Sequence, residues 1–302
     1  MGGVGFPPRM DQATGATWLC DQLKEKTPFL AGKIGTSELD VLLFYISMRI
    51  PTSIASYPAL LRKNITVNAG VFPATDKSLD EWAHHMLTAV LPALDCVAEW
   101  NPAQPLQESL LIQRVCPAET KRCVLRSLEP YYEGEEANRW SMYLPSRVAV
   151  VSPFAPSIAK QWTRRDDVWK HRVLWNPTTD ILPVRCGYNP ILTDADAVNA
   201  WPSSIGTWQE AVAAMVEGIV ATGATAVLLG CGALSLPIGA ELKRRGIAAI
   251  HMGGGTQILF GIKGRRWTTH SVISTFFNDA WTSPTAEEIP TRCTAVEGGC
   301  YW

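Results

Sequence analysis

The sequence predicts an α/β fold: a mostly parallel, Rossmann-like sheet with helices on both faces. Short β-branched apolar runs, "RVAVVSPF" (147–154), "TAVLLGCG" (225–232) and "IAAIHMGGG" (247–255), alternate with longer segments of helical periodicity. Strands that are apolar throughout belong to sheets buried on both sides, which parallel crossovers produce. Each run also ends in glycine, serine or proline, the punctuation of strand-to-helix turns. With 302 residues, 47% of them hydrophobic and 18% charged, the chain holds ample material for a folded core.

Element by element, residues 1–26 read as a Gly/Pro-rich tail without an apolar signal core, and Phe6 stands where N-myristoylation needs Ser or Thr. "PFLAGKIG" (28–35) reads as a strand feeding a helix over "SELDVLLFYISMRI", with Thr36 or Ser37 as its N-cap. Residues 76–100 form the clearest helical pattern, with Leu79, Trp82, Ala83, Met86, Leu87, Val90 and Leu94 on one stripe and a kink expected at Pro92. Residues 101–146 are the place for an insertion or subdomain. After the 147–154 strand, Pro156 opens a helix carrying Ile158, Trp162 and Trp169. "TWQE" (207–210) is a capping box for a helix bearing Ala211, Val212, Met215 and Ile219. The 225–232 strand, a helix running to Arg245 with Gly246 as its stop, and the 247–255 strand complete a strand-helix-strand unit. Residues 27–302 therefore read as a single domain.

A net charge of -1 argues against broad binding to nucleic acid or anionic membrane. The eight cysteines contain no C-x-x-C pair, so they read as reduced thiols rather than zinc ligands, and a cytoplasmic location is expected. Residues 218–240 carry no charge, but their glycines and Pro237 break them into helix end, strand and turn, so no membrane span is expected.

Ligands of such sheets bind outside the carboxyl ends of the strands. Four turns qualify: "GKIGTSE", "SPFAPS", "GCGAL" and "GGGTQ", the last leading into the basic "GIKGRRW". Bare backbone beside cations suits a phosphate or diphosphate. The candidate binding residues are Lys33, Thr36, Ser152, Gly232, Gly253, Gly254, Gly255, Gln257, Lys263, Arg265 and Arg266, with Glu38 beside them. A dinucleotide fingerprint is absent: Ser235 stands in the third glycine's place, and the strand ends at His251 rather than at an acid. No Walker A sequence is present. His251 reads as a satisfied strand-end histidine rather than a catalytic base, and Cys231, with no basic partner identifiable, as a small packing residue.

The motifs "GKIGTSEL", "NAGVFP", "VVSPFAPSIAKQW", "LLGCGAL", "IHMGGGTQILFGIKGRRW" and "NDAW…EGGCYW" resemble the GT-D-type glycosyltransferases over roughly residues 27 to 302. They come closer still to an uncharacterised group placed with that family. The resemblance implies a GT-D-like domain that transfers a sugar from a nucleotide-sugar donor to an acceptor. It also implies an Asp-x-Glu motif after the first strand, holding Mn²⁺ or Mg²⁺ and the donor diphosphate. That motif falls on Thr36-Ser37-Glu38, which keeps the glutamate and not the aspartate. Asp40 is no substitute, because residues two apart on a helix face different ways. Glu38 would then hold a metal, the sugar or the acceptor's proton. A nucleotide-sugar binder without catalysis is the alternative.

Overall fold

The computed structural model describes residues 7–50 and 55–302; the glycine-led start with Phe6 lies outside the described residues. Among the described residues seven strands form one sheet: β1 (Leu30–Lys33), β2 (Cys96–Glu99), β3 (Lys121–Val124), β4 (Arg147–Ser152), β5 (Asp180–Arg185), β6 (Ala226–Leu229) and β7 (Ala248–His251). Their order is β3-β2-β1-β7-β6-β4-β5, and every neighbouring pair is parallel. The fold is the predicted Rossmann-like α/β sheet. The crossover from β4 to β5 runs one way along the sheet and that from β6 to β7 the other, so the order reverses between β4 and β6, the kind of switch point at which such sheets bind ligands.

Helices α1 (Gln12–Glu25), α2 (Thr36–Phe44), α3 (Ala59–Lys63), α4 (Asp76–His85), α5 (Pro105–Val115), α6 (Ala155–Trp162), α7 (Arg165–Val168), α8 (Trp208–Ala221), α9 (Ser235–Arg244), α10 (Gly255–Leu259) and α11 (Arg265–Thr268) accompany it. Side chains alternate across the sheet, as strand geometry requires. Leu30, Val97, Val151, Val227 and Ala249 enter one core with Leu39, Leu79 and Ile238 from α2, α4 and α9. Ala31, Ala98, Val150, Leu228 and Ile250 enter the other with Leu19 of α1 and Ile158 of α6. Both faces are covered.

Several elements differ from the sequence reading. Residues 12–25 of the supposed tail form α1, capped by Asp11 and burying Ala16, Leu19, Cys20 and Leu23. The 76–100 helix stops early: α4 passes through a π-turn (Met86–Val90) and a 3₁₀ turn (Leu91–Ala93), after which Cys96–Glu99 is a strand. Pro92, lacking an N–H, ends this helix rather than kinking it. Trp169 is not on α6; it follows the separate turn α7, and its indole donates to the Leu259 carbonyl at 2.9 Å. Residues 101–146 contribute β3, which pairs with β2 in the common sheet. The capping box of Thr207 and Glu210 forms as predicted, and Gly246 ends α9 with a φ of 84°.

Candidate functional site

In-register pairing brings the strand ends level, so that Lys33, Glu99, Ser152, Leu229 and His251 finish along one edge of the sheet. A cleft of about 290 Å³ opens there, lined by residues that follow every one of the seven strands. Of the predicted residues, Lys33, Thr36, Glu38, Ser152, Gly232, Gly253, Gly254, Gly255, Gln257 and Arg266 line it, although some lie more than two hundred positions apart.

Lys33 ends β1 and is half-buried on the cleft floor, its ammonium 4.4 Å from the Trp100 ring centroid. Burial lowers its pKa; the charge of Glu38 opposes that shift and that of Arg266 adds to it. Glu38 is 9% exposed in the first turn of α2. Burial raises its pKa, against the pull of Lys33 and of its own backbone amide. The N-cap of α2 is Gly35, not Thr36 or Ser37. A Cβ on Gly35 would collide with the Glu38 carboxylate, so the glycine is what lets that side chain fold back over its own helix start. The Thr36 hydroxyl instead donates to Asn101 Oδ1 at 2.7 Å, and Asp40 accepts from Gln104 on another face.

The three glycines after β7 each make room for a side chain. A Cβ on Gly253 would sit 2.9 Å from Lys33 Cε, one on Gly254 3.3 Å from the Trp267 ring, and one on Gly255 3.0 Å from the Tyr131 hydroxyl and 3.1 Å from Glu129 Oε1. Bare backbone here admits protein groups to the cleft wall. The amides of Gly253 and Gly254 take no protein acceptor among the described residues, which leaves two donors for an anion. Gly232, at φ 62°, packs against the Ala69 carbonyl. The Ser152 hydroxyl accepts from the Phe154 amide at 3.1 Å and keeps its own proton to donate. Gln257 Nε2 donates to the Tyr301 carbonyl at 2.8 Å, while its buried Oε1 has no partner among the described residues.

The basic loop divides. Arg266 lines the cleft, with its guanidinium 5.1 Å and 4.9 Å from the Trp267 and Tyr301 rings and 3.7 Å from Glu297. Lys263 and Arg265, expected beside it, are not among the lining residues. The Lys263 ammonium lies 5.5 Å over Phe277, and Arg265 donates to the Gly298 carbonyl. Lys263 precedes the extended Gly264 that caps α11, and Arg265 and Arg266 are successive residues of that helical turn, so the three side chains leave in different directions.

Sequence reasoning missed Glu129, which is 8% exposed on the cleft wall and accepts a 2.9 Å hydrogen bond from Tyr131. Burial pushes its carboxyl up to about 7, only partly offset by Tyr131, Arg126 and Lys33. The signal available was an acid inside "SLEPYY", an otherwise apolar and aromatic stretch. His251 is 2% exposed, its Nδ1 lies 3.1 Å from the Leu229 carbonyl, and burial together with Lys33 lowers its pKa to about 3. It is a neutral ring at physiological pH. The aromatics Trp100, Tyr188, Tyr301 and Trp302 complete the walls. Among the described residues, no three His, Cys, Asp or Glu side chains gather where a metal ion could sit, and no helix is long and apolar enough to cross a membrane.

Comparison of the chain with protein-family models, with curated proteins and with solved structures finds no match.

Proposed function

We propose that the chain is a nucleotide-sugar-dependent glycosyltransferase. The observation that carries this reading is the half-buried Lys33 ammonium, charge-coupled to the buried Glu38 carboxylate, at the end of β1 beside the Gly253–Gly255 turn in a cleft walled by aromatic rings. Expelling a nucleoside diphosphate requires fixed positive charge and donors at the leaving oxygens. Lys33, Arg266 and the amides of Gly253 and Gly254 are the groups able to provide them. Aromatic walls suit a nucleobase or a sugar face. The motif resemblance that ends in "EGGCYW" supports the same reaction class.

The Mn²⁺ or Mg²⁺ that the resemblance implies does not fit these residues. Hard divalent cations want several oxygen ligands, preferably carboxylates. Glu38 is a single carboxylate whose principal charge partner is the Lys33 ammonium, and the neutral Thr36 hydroxyl, which donates to Asn101, adds no second anionic ligand. Charge on the leaving group is therefore assigned to Lys33 and Arg266. The same departure from the motif favours a second reading, a binder that holds the donor without turning it over.

A thermal-shift panel of nucleotide sugars, run with Mn²⁺ and with EDTA and followed by assay of nucleoside diphosphate release, separates these readings. Stabilisation that survives EDTA, with slow release to water, is the expected result. Binding without release would leave the binder. Stabilisation by S-adenosylmethionine or NAD alone would reject both.

A further inference from the structure

Three ionisable groups lining the cleft differ in how far the protein has already committed them. The Glu38 carboxylate lies over its own helix start, with Lys33 as its counter-charge. His251 turns Nδ1 to the Leu229 carbonyl and stays neutral. Glu129 is different. Like Glu38 it has no ion-pair partner within 4.0 Å among the described residues, but its carboxylate is not folded over a helix start, and its one side-chain hydrogen bond comes from Tyr131. Arg126, the cation of its own turn, stacks on the Tyr132 ring at 3.7 Å. Lys33 reaches Glu129 only as a charge across the floor.

Its position is nonetheless fixed. Tyr131 is fully buried and stacks on Trp169, with centroids 5.9 Å apart and planes at 8°. Gly255 has no side chain, so the carboxylate can come against the first residue of α10, two positions from Gly253. A carboxyl group held rigidly on a cleft wall, desolvated and without a counter-ion, is arranged for proton transfer rather than for stability.

We propose that Glu129 is the proton-transfer residue of this cleft, taking the proton of the acceptor hydroxyl. The proposal rests on the glycosyltransferase reading and moves the acceptor's proton from Glu38 to Glu129. In the step, the acceptor oxygen bonds to the anomeric carbon and the bond from that carbon to the diphosphate oxygen breaks. The electron pair leaves with the diphosphate, the hydroxyl proton passes to the Glu129 carboxylate, and it is then lost to solvent. Burial places the carboxyl's titration near neutrality, where it can both accept and release a proton.

The test has two arms. In the first, full-length protein carrying ¹³C-labelled glutamate carboxyls is titrated by NMR, with Glu129→Gln assigning the signal. A midpoint near neutrality is expected; titration with the ordinary carboxylates overturns the proposal whatever the donor. In the second, release of nucleoside diphosphate from UDP-glucose, GDP-mannose and dTDP-glucose to water is followed from about pH 5.5 to about 8.5. Glu129→Gln should lose about 10²- to 10⁴-fold in rate and the neutral inflection, with donor affinity unchanged, and Glu129→Asp should recover part of the rate. Wild-type release unaffected by Glu129→Gln overturns the proposal and leaves the glycosyltransferase reading standing. No binding or release of any of the three donors by the wild type overturns that reading and the acceptor step with it.

Discussion

Replacing Arg266 by alanine removes a guanidinium held between the Trp267 and Tyr301 rings at the edge of the cleft. If Arg266 contacts the donor diphosphate, losing that charge-assisted contact costs about 1.5–3 kcal/mol, or about 10- to 150-fold in affinity. Lys263→Ala and Arg265→Ala should leave donor affinity nearly unchanged, because neither side chain lines the cleft. Calorimetric titration of the three variants checks the division; equal losses at all three would mean that the loop binds as a diffuse charge. Lys33 makes a second case at this scale. Removing its ammonium leaves Glu38 buried without its principal counter-charge, so Lys33→Ala should both weaken donor binding and destabilise the fold. Urea denaturation beside the titration reads the two losses separately, and a variant as stable as wild type would mean that Glu38 finds its compensation elsewhere.

At the scale of the element, the turns after β6 and β7 depend on missing side chains. Gly255→Ala would press a methyl against Glu129 and Tyr131, and overpacking of this kind costs about 1–3 kcal/mol. Gly232→Ala adds a left-handed backbone penalty of about 1–2 kcal/mol to its clash with the Ala69 carbonyl. Thr207→Ala, which removes an ordinary capping box, should cost about 1 kcal/mol. Urea denaturation should therefore rank Gly232→Ala as the most damaging of the three; a smaller loss there than at Thr207 would mean that the β6 turn relaxes freely. The strands found in the sequence, β1, β4, β6 and β7, lie at or near the centre of the sheet, where both faces are covered and the apolar run is unbroken. β2, β3 and β5 were not legible. Their residues, "CVAE", "KRCV" and "DILPVR", are short or carry charge and proline. β3 and β5 are edge strands, where proline and charge are tolerated. α1 was hidden behind a Gly/Pro-rich start because its burial comes from contacts with residues more than a hundred positions later.

For the whole molecule, the strand-end turns that frame the cleft were legible because turn chemistry is local, while Glu129 was not, because its environment exists only once the sheet has closed. Closure also shifts two titrations in opposite directions. Burial takes Glu129 from 4.5 to about 7. Between those values the folded chain keeps a proton that the unfolded chain has released, so this group lowers stability as pH rises. Burial takes His251 from 6.5 to about 3. There the unfolded chain holds a proton that the folded chain refuses, so this group lowers stability as pH falls. Between 4.5 and 6.5 the two slopes oppose each other. Glu129→Gln removes the first and leaves the second. The stability of the variant relative to wild type should therefore rise by about 1.4 kcal/mol per pH unit through the window, gaining about 3 kcal/mol between about pH 4 and about pH 8. Taking the difference cancels every titration that the two proteins share. Urea denaturation of both at pH steps across this range makes the measurement, and a difference that stays flat would mean that Glu129 titrates alike in the folded and unfolded chains.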